Sequence, residues 1–181
     1  MITRMLKLGL TLMVVGMIAA LGLGVTYSAT RKRIELEDSL AEGKACMTAL
    51  PGVKSAAEIE EDAALTKKAK EKVPEVQKVL TCGGRYIMVM KSKGYGGPLE
   101  LAVGIGDKGD VKGISVIYNR ETIGLGSKVL TDENLEQFEG KTGEDRLEVG
   151  KDVQAVTGAT ITSKAVTLQV KKALEAYQAL R

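Results

Sequence analysis

No histidine occurs anywhere in the 181 residues, and that absence closes several routes at once. Without an imidazole, a Ser-His-Asp triad, a histidine-ligated haem and the common zinc sites are excluded. The two cysteines, Cys46 and Cys82, cannot supply the four thiolates of an iron–sulfur cluster within this chain. They suit either one disulfide or two buried small apolar side chains, because free cysteine buries readily. Tryptophan is absent, and five tyrosines and one phenylalanine leave little on which nucleic-acid bases could stack. The net charge of +3 is also too small to argue for a phosphate backbone as partner. Redox chemistry here would have to rest on an organic cofactor. What remains is ordinary: 27% charged and 44% hydrophobic residues are globular levels, and the length suits one modest domain with an appendage.

Leu8 to Tyr27 is an uncharged apolar run of the length that crosses a bilayer as a helix. Gly9, Gly16, Gly22 and Gly24 punctuate it, and small residues let membrane helices approach closely. A secretory signal with Arg4 and Lys7 as its basic region is the competing reading. Its apolar core would be long and its best small-x-small site, Ala20-Leu21-Gly22, is poor, so an uncleaved anchor is expected. Arg4 and Lys7 on one side and Arg31, Lys32 and Arg33 on the other give the positive-inside rule little to separate. Residues 1–30 thus read as a cytoplasmic tip and transmembrane helix, and 31–83 as a juxtamembrane helical segment. Within that segment Ile34 to Leu50 is one predicted helix, closed by Pro51-Gly52. A second is predicted to start at the capping-box pattern Ser55-Ala56-Ala57-Glu58 and run to about Lys72.

From Gly84 short β-rich runs predict strands over Tyr86–Lys91, Leu99–Ile105 and Val111–Tyr118. The intervening Gly104-Ile105-Gly106-Asp107-Lys108-Gly109 matches the GxGxxG spacing but leads into a strand rather than a helix, so a hairpin turn is expected there. Thr131 to Phe138 reads as a short helix capped by Thr131, and Val153 to Val156 as a strand. A final helix over Ser163–Ala179 carries the apolar stripe Val166, Val170, Ala173, Leu174 and Tyr177. The expected class is α+β: a small antiparallel or mixed sheet packed with helices over residues 84–181.

Three glycine-containing segments stand out in this domain: Gly94-Tyr95-Gly96-Gly97-Pro98, Glu121-Thr122-Ile123-Gly124-Leu125-Gly126 and Thr157-Gly158-Ala159-Thr160. The last places hydroxyls and small residues at a helix N-terminus, where an anion is favoured; a plain hydroxyl-rich helix cap is the alternative.

In this order, behind one N-terminal apolar segment, the three segments resemble the FMN-binding domain family. Within it they are most similar to the G subunits of Rnf-type ion-translocating electron-transport complexes, and more distantly to the C subunits of Na⁺-translocating NADH:quinone reductases. The resemblance covers roughly Gly84 to Leu180. It implies FMN held by a phosphoester to Thr160, formed by a separate flavin transferase from FAD with a divalent metal. Thr157, Gly158, Ala159, Thr162, Tyr95, Gly97, Glu121, Thr122, Leu125, Gly126 and Lys128 are then the expected flavin-site residues. No catalytic side chain and no metal site of the chain's own is implied.

Lys128, Arg120 and Lys164 are candidate cations for the flavin N1 edge. The resemblance also implies iron–sulfur and flavin subunits as partners, membrane lipid around the anchor, and no nucleic acid. It implies electron transfer between ferredoxin and NAD⁺ coupled to Na⁺ or H⁺ translocation, with little activity from the lone subunit. The flavin domain is expected on the extracytoplasmic side of the plasma or inner membrane. Two positions depart from the family pattern: Gln154 stands where an acid is usual, three residues before Thr157, and Ile123 replaces a proline. A non-redox assembly subunit with an empty site and a flavin-dependent membrane sensor are the rival functions.

Overall fold

The computed structural model of the chain describes residues 2–53 and 55–181. It divides into two compact units, Met1–Leu40 and Ala41–Arg181. The first is helix throughout its described part. Its Arg4–Arg31 span contains an 18-residue window of mean hydropathy 2.3 with no buried residue, so it is long and apolar enough to cross a membrane. The hydroxyls of Thr11, Thr26 and Thr30 donate to carbonyls one turn back, so these polar groups are satisfied within the helix itself.

The sequence predicts two helices before Pro51, and one is found: α1 spans Ile2–Ala49 without a break. The apolar run ends near Tyr27, but a change in hydrophobicity is not a helix end. The following Arg, Lys, Glu and Leu residues are strong helix formers, and the first true stop is Pro51-Gly52, with Gly52 at φ 95°. The capping-box start at Ser55 is corrected as well. Ala56–Glu58 is only a 3₁₀ turn, and Glu60–Glu61 is a two-residue strand, β1. Helix α2 begins at Ala63 and runs to Lys72, because Asp62 takes the cap by accepting the Leu65 N–H at 2.9 Å.

Five antiparallel strands form one meander in the order β1-β2-β3-β4-β5. β3 (Arg85–Lys93), β4 (Pro98–Ile105) and β5 (Val111–Asn119) lie where the β-rich runs place them. β2 (Val76–Cys82) has no counterpart among the predicted strands. A register shift between Val76 and Lys78 breaks its period of two, which removes the sequence signal of a strand.

Both faces of the sheet are covered. Met88, Met90, Leu99, Leu101, Val103 and Ile105 pack on one face with Ala69 of α2 and with Val166, Val170, Ala173, Leu174 and Tyr177 of a C-terminal helix (Thr160–Leu180). Ile87, Val89, Ala102, Leu80 and Cys82 face the other side, against Cys46, Ala49 and Leu50. Each fully buried Leu or Ile contributes roughly 1.5–3 kcal/mol, so the two clusters carry the domain. A single turn of helix, α3 (Asp132–Leu135), precedes the C-terminal helix, which is therefore α4. The cysteines are free and both buried in the second cluster. Burial pushes the Cys46 thiol up to about 12, with the Glu42 carboxylate adding to the effect.

The GxGxxG match is explained by packing. Gly109 has φ 80° in the hairpin turn, where Gly106 N donates to Asp110 O and Gly109 N to Gly106 O. Gly104 is cross-strand partner of Gly113, and both lie under the Ala49 carbonyl. A Cβ on Gly104 would overlap that carbonyl oxygen, and one on Gly113 would lie 2.9 Å from it. The glycine pair admits the end of α1 against the sheet. Gly104→Ala is therefore expected to lower unfolding free energy by about 1–3 kcal/mol, as overpacked cores do. Chemical denaturation of the detergent-solubilised chain checks this; an unchanged midpoint would mean that the helix end is not seated there.

Candidate functional site

The site is built at the N-terminus of α4. Ahead of it Val156–Ala159 make a tight turn: Ala159 N donates to Val156 O at 2.9 Å, and Gly158 sits at φ 81° in the third position. That is the conformation a type II turn demands there, and it favours glycine. A Cβ on Gly158 would meet only Leu125 Cδ2, at 3.7 Å, so backbone conformation and not space selects the glycine. The strand expected over Val153–Val156 is absent; Val153 makes only an isolated bridge with Val149. Asp152 is the reason. Its carboxylate accepts the N–H groups of Leu147 at 3.0 Å and Glu148 at 2.8 Å and lies 3.5 Å from Lys141 Nζ, which folds 147–153 back on itself.

Helix α4 starts at Thr160, three residues earlier than expected, and its cap position is Ala159. No side chain caps it and no acid lies in its first turn. Its first N–H groups thus have no side-chain acceptor within the helix, and the dipole favours negative charge at that point. The hydroxyls divide by role. Ser163 Oγ donates to Ala159 O and accepts Val156 N, locking turn to helix. Thr162 is buried, and its hydroxyl donates to Glu121 Oε2 at 3.1 Å. Thr157 and Thr160 are exposed.

Glu121 is the hub. It is 8% exposed, and besides Thr162 its carboxylate accepts Tyr95 N at 2.9 Å and Gly96 N at 3.3 Å. Its own N–H donates to Asn119 Oδ1. A Cβ on Gly94 or Gly126 would overlap a carboxylate oxygen of Glu121. One on Gly97 would lie 2.9 Å from Arg120 Cβ. The glycines of two motif segments therefore make room for this acid. The Gly94–Gly97 loop closes by Gly94 N donating to Gly97 O, and Gln169 Nε2 donates to Ser92 Oγ and Leu99 O at its two stems.

Above this layer opens a cavity of about 340 Å³ lined by Tyr95, Leu125, Gly126, Gly158, Ala159, Thr160, Ile161 and Thr162. That volume falls within the range of small-molecule sites. Seven of the expected site residues meet there. Glu121 and Gly97 lie in the supporting layer. The Thr122 carbonyl accepts Leu125 N and Ser127 N in the turn behind the wall, and Thr157 stays outside the lining. Lys128 is exposed on the 3₁₀ turn Gly126–Leu130, where its carbonyl accepts the Thr131 hydroxyl and the Asn134 amide. Neither it nor Arg120 nor Lys164 lines the cavity. Thr131 occupies a cap position without making the cap bond. Two contributors are absent from the expected set: Ile161, an exposed apolar side chain among hydroxyls, and Gln169, seven residues beyond Thr162 and so on its helix face.

The FMN-binding domain family matches residues 94–175. The chain is 34% identical over 197 residues to the G subunit of the Na(+)-translocating ferredoxin:NAD(+) oxidoreductase complex of Acetobacterium woodii, covering 96% of this chain and 92% of that protein. It is 46% identical over 96 residues to the G subunit of the proton-translocating ferredoxin:NAD(+) oxidoreductase complex of Clostridium ljungdahlii, covering 50% and 51%. The G subunit of the ion-translocating oxidoreductase complex of Vibrio cholerae is 43% identical over 91 residues, covering 45% and 44%. The chain thus matches about half the length of these last two relatives. In structure it is similar to the C subunit of the Na(+)-translocating NADH-quinone reductase of Parabacteroides distasonis, with a TM-score of 0.57 at 20% identity. That likeness covers 82% of this chain and 96% of the other, and it shows the fold. The chain belongs to the FMN-binding domain family, among the G subunits of ion-translocating oxidoreductase complexes.

Backbone N–H bonds hold the Asp152 carboxyl below the usual aspartate range, the Glu148 N–H foremost. A depressed folded-state value stabilises the fold above the ordinary aspartate value, and the effect is lost as pH falls through the lower folded value. Asp152→Asn should therefore lower the melting temperature at neutral pH, with the difference from wild type closing in acid. Melting curves across that pH range check it; a constant difference would count against the ionised carboxylate as the cause.

Proposed function

We propose that the chain is a membrane-anchored electron-relay subunit of an Rnf-type complex, carrying FMN joined to Thr160 by a phosphoester. One observation carries this reading: Thr160 is the exposed threonine that lines the cavity, at a helix N-terminus with no side-chain cap. The residues fit the group. The open N–H groups of the first turn of α4 suit the negative charge of a phosphodiester. Tyr95, Leu125 and Ile161 offer the apolar wall that would shield a planar ring from water.

When bound, the flavin supplies exchange between one-electron and two-electron carriers, and the protein supplies position and electrostatics. Attachment needs an outside enzyme, because the chain has no histidine to activate a threonine. In that transfer the Thr160 oxygen displaces AMP from the FMN phosphorus of FAD and loses its proton. The Arg4–Arg31 span of α1 serves as the anchor in membrane lipid, with the flavin domain on the extracytoplasmic side. Ferredoxin, NAD⁺ and the pumped ion belong to the partner subunits, so the isolated protein has little turnover. The relatives from A. woodii and C. ljungdahlii, named as subunits of such oxidoreductase complexes, support this placement.

Gln154 is the position that favours the rival reading of an assembly subunit with an empty site. Asp152 does not stand in for the usual acid there, since its carboxylate is committed to Leu147, Glu148 and Lys141. Expression in a host with the flavin transferase decides between them. The denatured, gel-separated wild type should show yellow fluorescence. Thr160→Ser should keep it, and Thr160→Ala should lose it completely. A dark wild-type band would overturn the covalent assignment and leave the assembly role.

A further inference from the structure

We infer that Glu121 is a positioning residue that holds Tyr95 as the wall of the flavin cavity, although its own carboxylate does not line that cavity. This rests on the flavin reading above. The loop that carries Tyr95 has glycine at 94, 96 and 97, so its backbone has little conformational preference of its own. The Tyr95 side chain is 65% exposed and so is not held by burial. What fixes the residue is its backbone: Tyr95 N and Gly96 N both donate to Glu121, and Glu121 is held in turn by the Thr162 hydroxyl. Thr162 lies two residues beyond Thr160 in the first turn of α4. The carboxylate therefore links the loop that carries the ring wall to the helix turn that carries the attachment hydroxyl. Gln169 holds only the loop stems at Ser92 and Leu99 and the Gly94 N–Gly97 O bond closes the base of the loop, so Glu121 is the side chain that holds the tip between them. Gly94 and Gly126 have no Cβ where one would displace the carboxylate, so the acid is seated and not merely adjacent.

A tyrosine ring in contact with a flavin quenches its emission by electron transfer, so emission reports where Tyr95 sits. The full chain carrying covalent flavin is read in detergent and again after denaturation, and the ratio of folded to unfolded emission is taken. Wild type should be strongly quenched when folded. Tyr95→Leu should raise the ratio several-fold, and Glu121→Ala should do the same. Glu121→Gln should raise it less, because one acceptor oxygen is kept. On the Tyr95→Leu background, Glu121→Ala should add nothing, since both act on one wall.

An unchanged ratio in flavinylated Glu121→Ala and Glu121→Gln, even with lowered melting temperatures, overturns the positioning role. A further rise on the Tyr95→Leu background overturns it as well. Should Glu121→Ala fail to fold, Glu121→Gln alone and in the double variant carries the test. A wild type that is dark after denaturation overturns the flavin reading and this inference together, whereas a bright wild type with an unmoved ratio overturns only the inference.

Discussion

A buried carboxylate left without hydrogen bonds is costly, and Glu121 finds both kinds of partner it accepts from, backbone N–H and hydroxyl, far away in sequence. Tyr95 is 26 residues before it and Thr162 is 41 residues after it. The side chain therefore fixes the β3–β4 loop, the segment after β5 and the first turn of α4 relative to one another. Hydrogen bonds to a charged group contribute roughly 1.5–3 kcal/mol each, and losing one partner would leave the others around an under-satisfied charge. The cavity wall inherits its geometry from this one acid.

The acid can act this way only because the elements around it are held independently. The apolar stripe of α4 is anchored on the sheet by Val166, Val170, Ala173 and Leu174, which sets where its N-terminus ends. On the other face, Ala49 and Leu50 close the sheet over the Gly104–Gly113 pair. With both faces covered, β3 and β4 are buried on each side, which is why Ile87-Met88-Val89-Met90 is a continuous apolar run. Such a sheet is a stiff base for a loop made largely of glycine. Precision at the site comes from the base and the acid, and the loop itself contributes little.

Much of this is legible in the sequence, and the failures have definite causes. β3, β4 and β5 are legible as short β-rich runs between turn residues, and the last helix from its apolar stripe. β2 is hidden by a bulge, and the continuity of α1 by equating the end of an apolar run with the end of a helix. The run Val153–Val156 has the composition of a strand, but the carboxylate of Asp152 claims the backbone nearby for a turn. Glu121 is identifiable as a site residue on family likeness, yet its supporting position is not legible. A single acid carries no periodic signal, and its partners are two backbone N–H groups and a threonine remote in sequence. The glycines suggest clearance for a ligand; at Gly94 and Gly126 the clearance is for the acid.

The hydroxyl-rich turn gains the most from the structure. From sequence, any of Thr157, Thr160, Thr162 and Ser163 can cap the helix or carry a ligand. Ser163 is occupied by Val156 and Ala159, and Thr162 by Glu121. Thr157 lies outside the cavity, on the turn that Gly158 shapes. Ser163 thus ties the preceding turn to the helix without accepting any N–H of its first turn, and the cap position itself is an alanine. A serine, threonine or aspartate there would ordinarily stabilise the helix by about 1 kcal/mol, so this end forgoes stability it could readily have. An anion bound at the first turn would restore it, since backbone N–H groups satisfied by a phosphate oxygen need no side-chain acceptor. The vacant cap and the exposed Thr160 hydroxyl at the cavity edge thus support the same proposal from two sides, one electrostatic and one chemical.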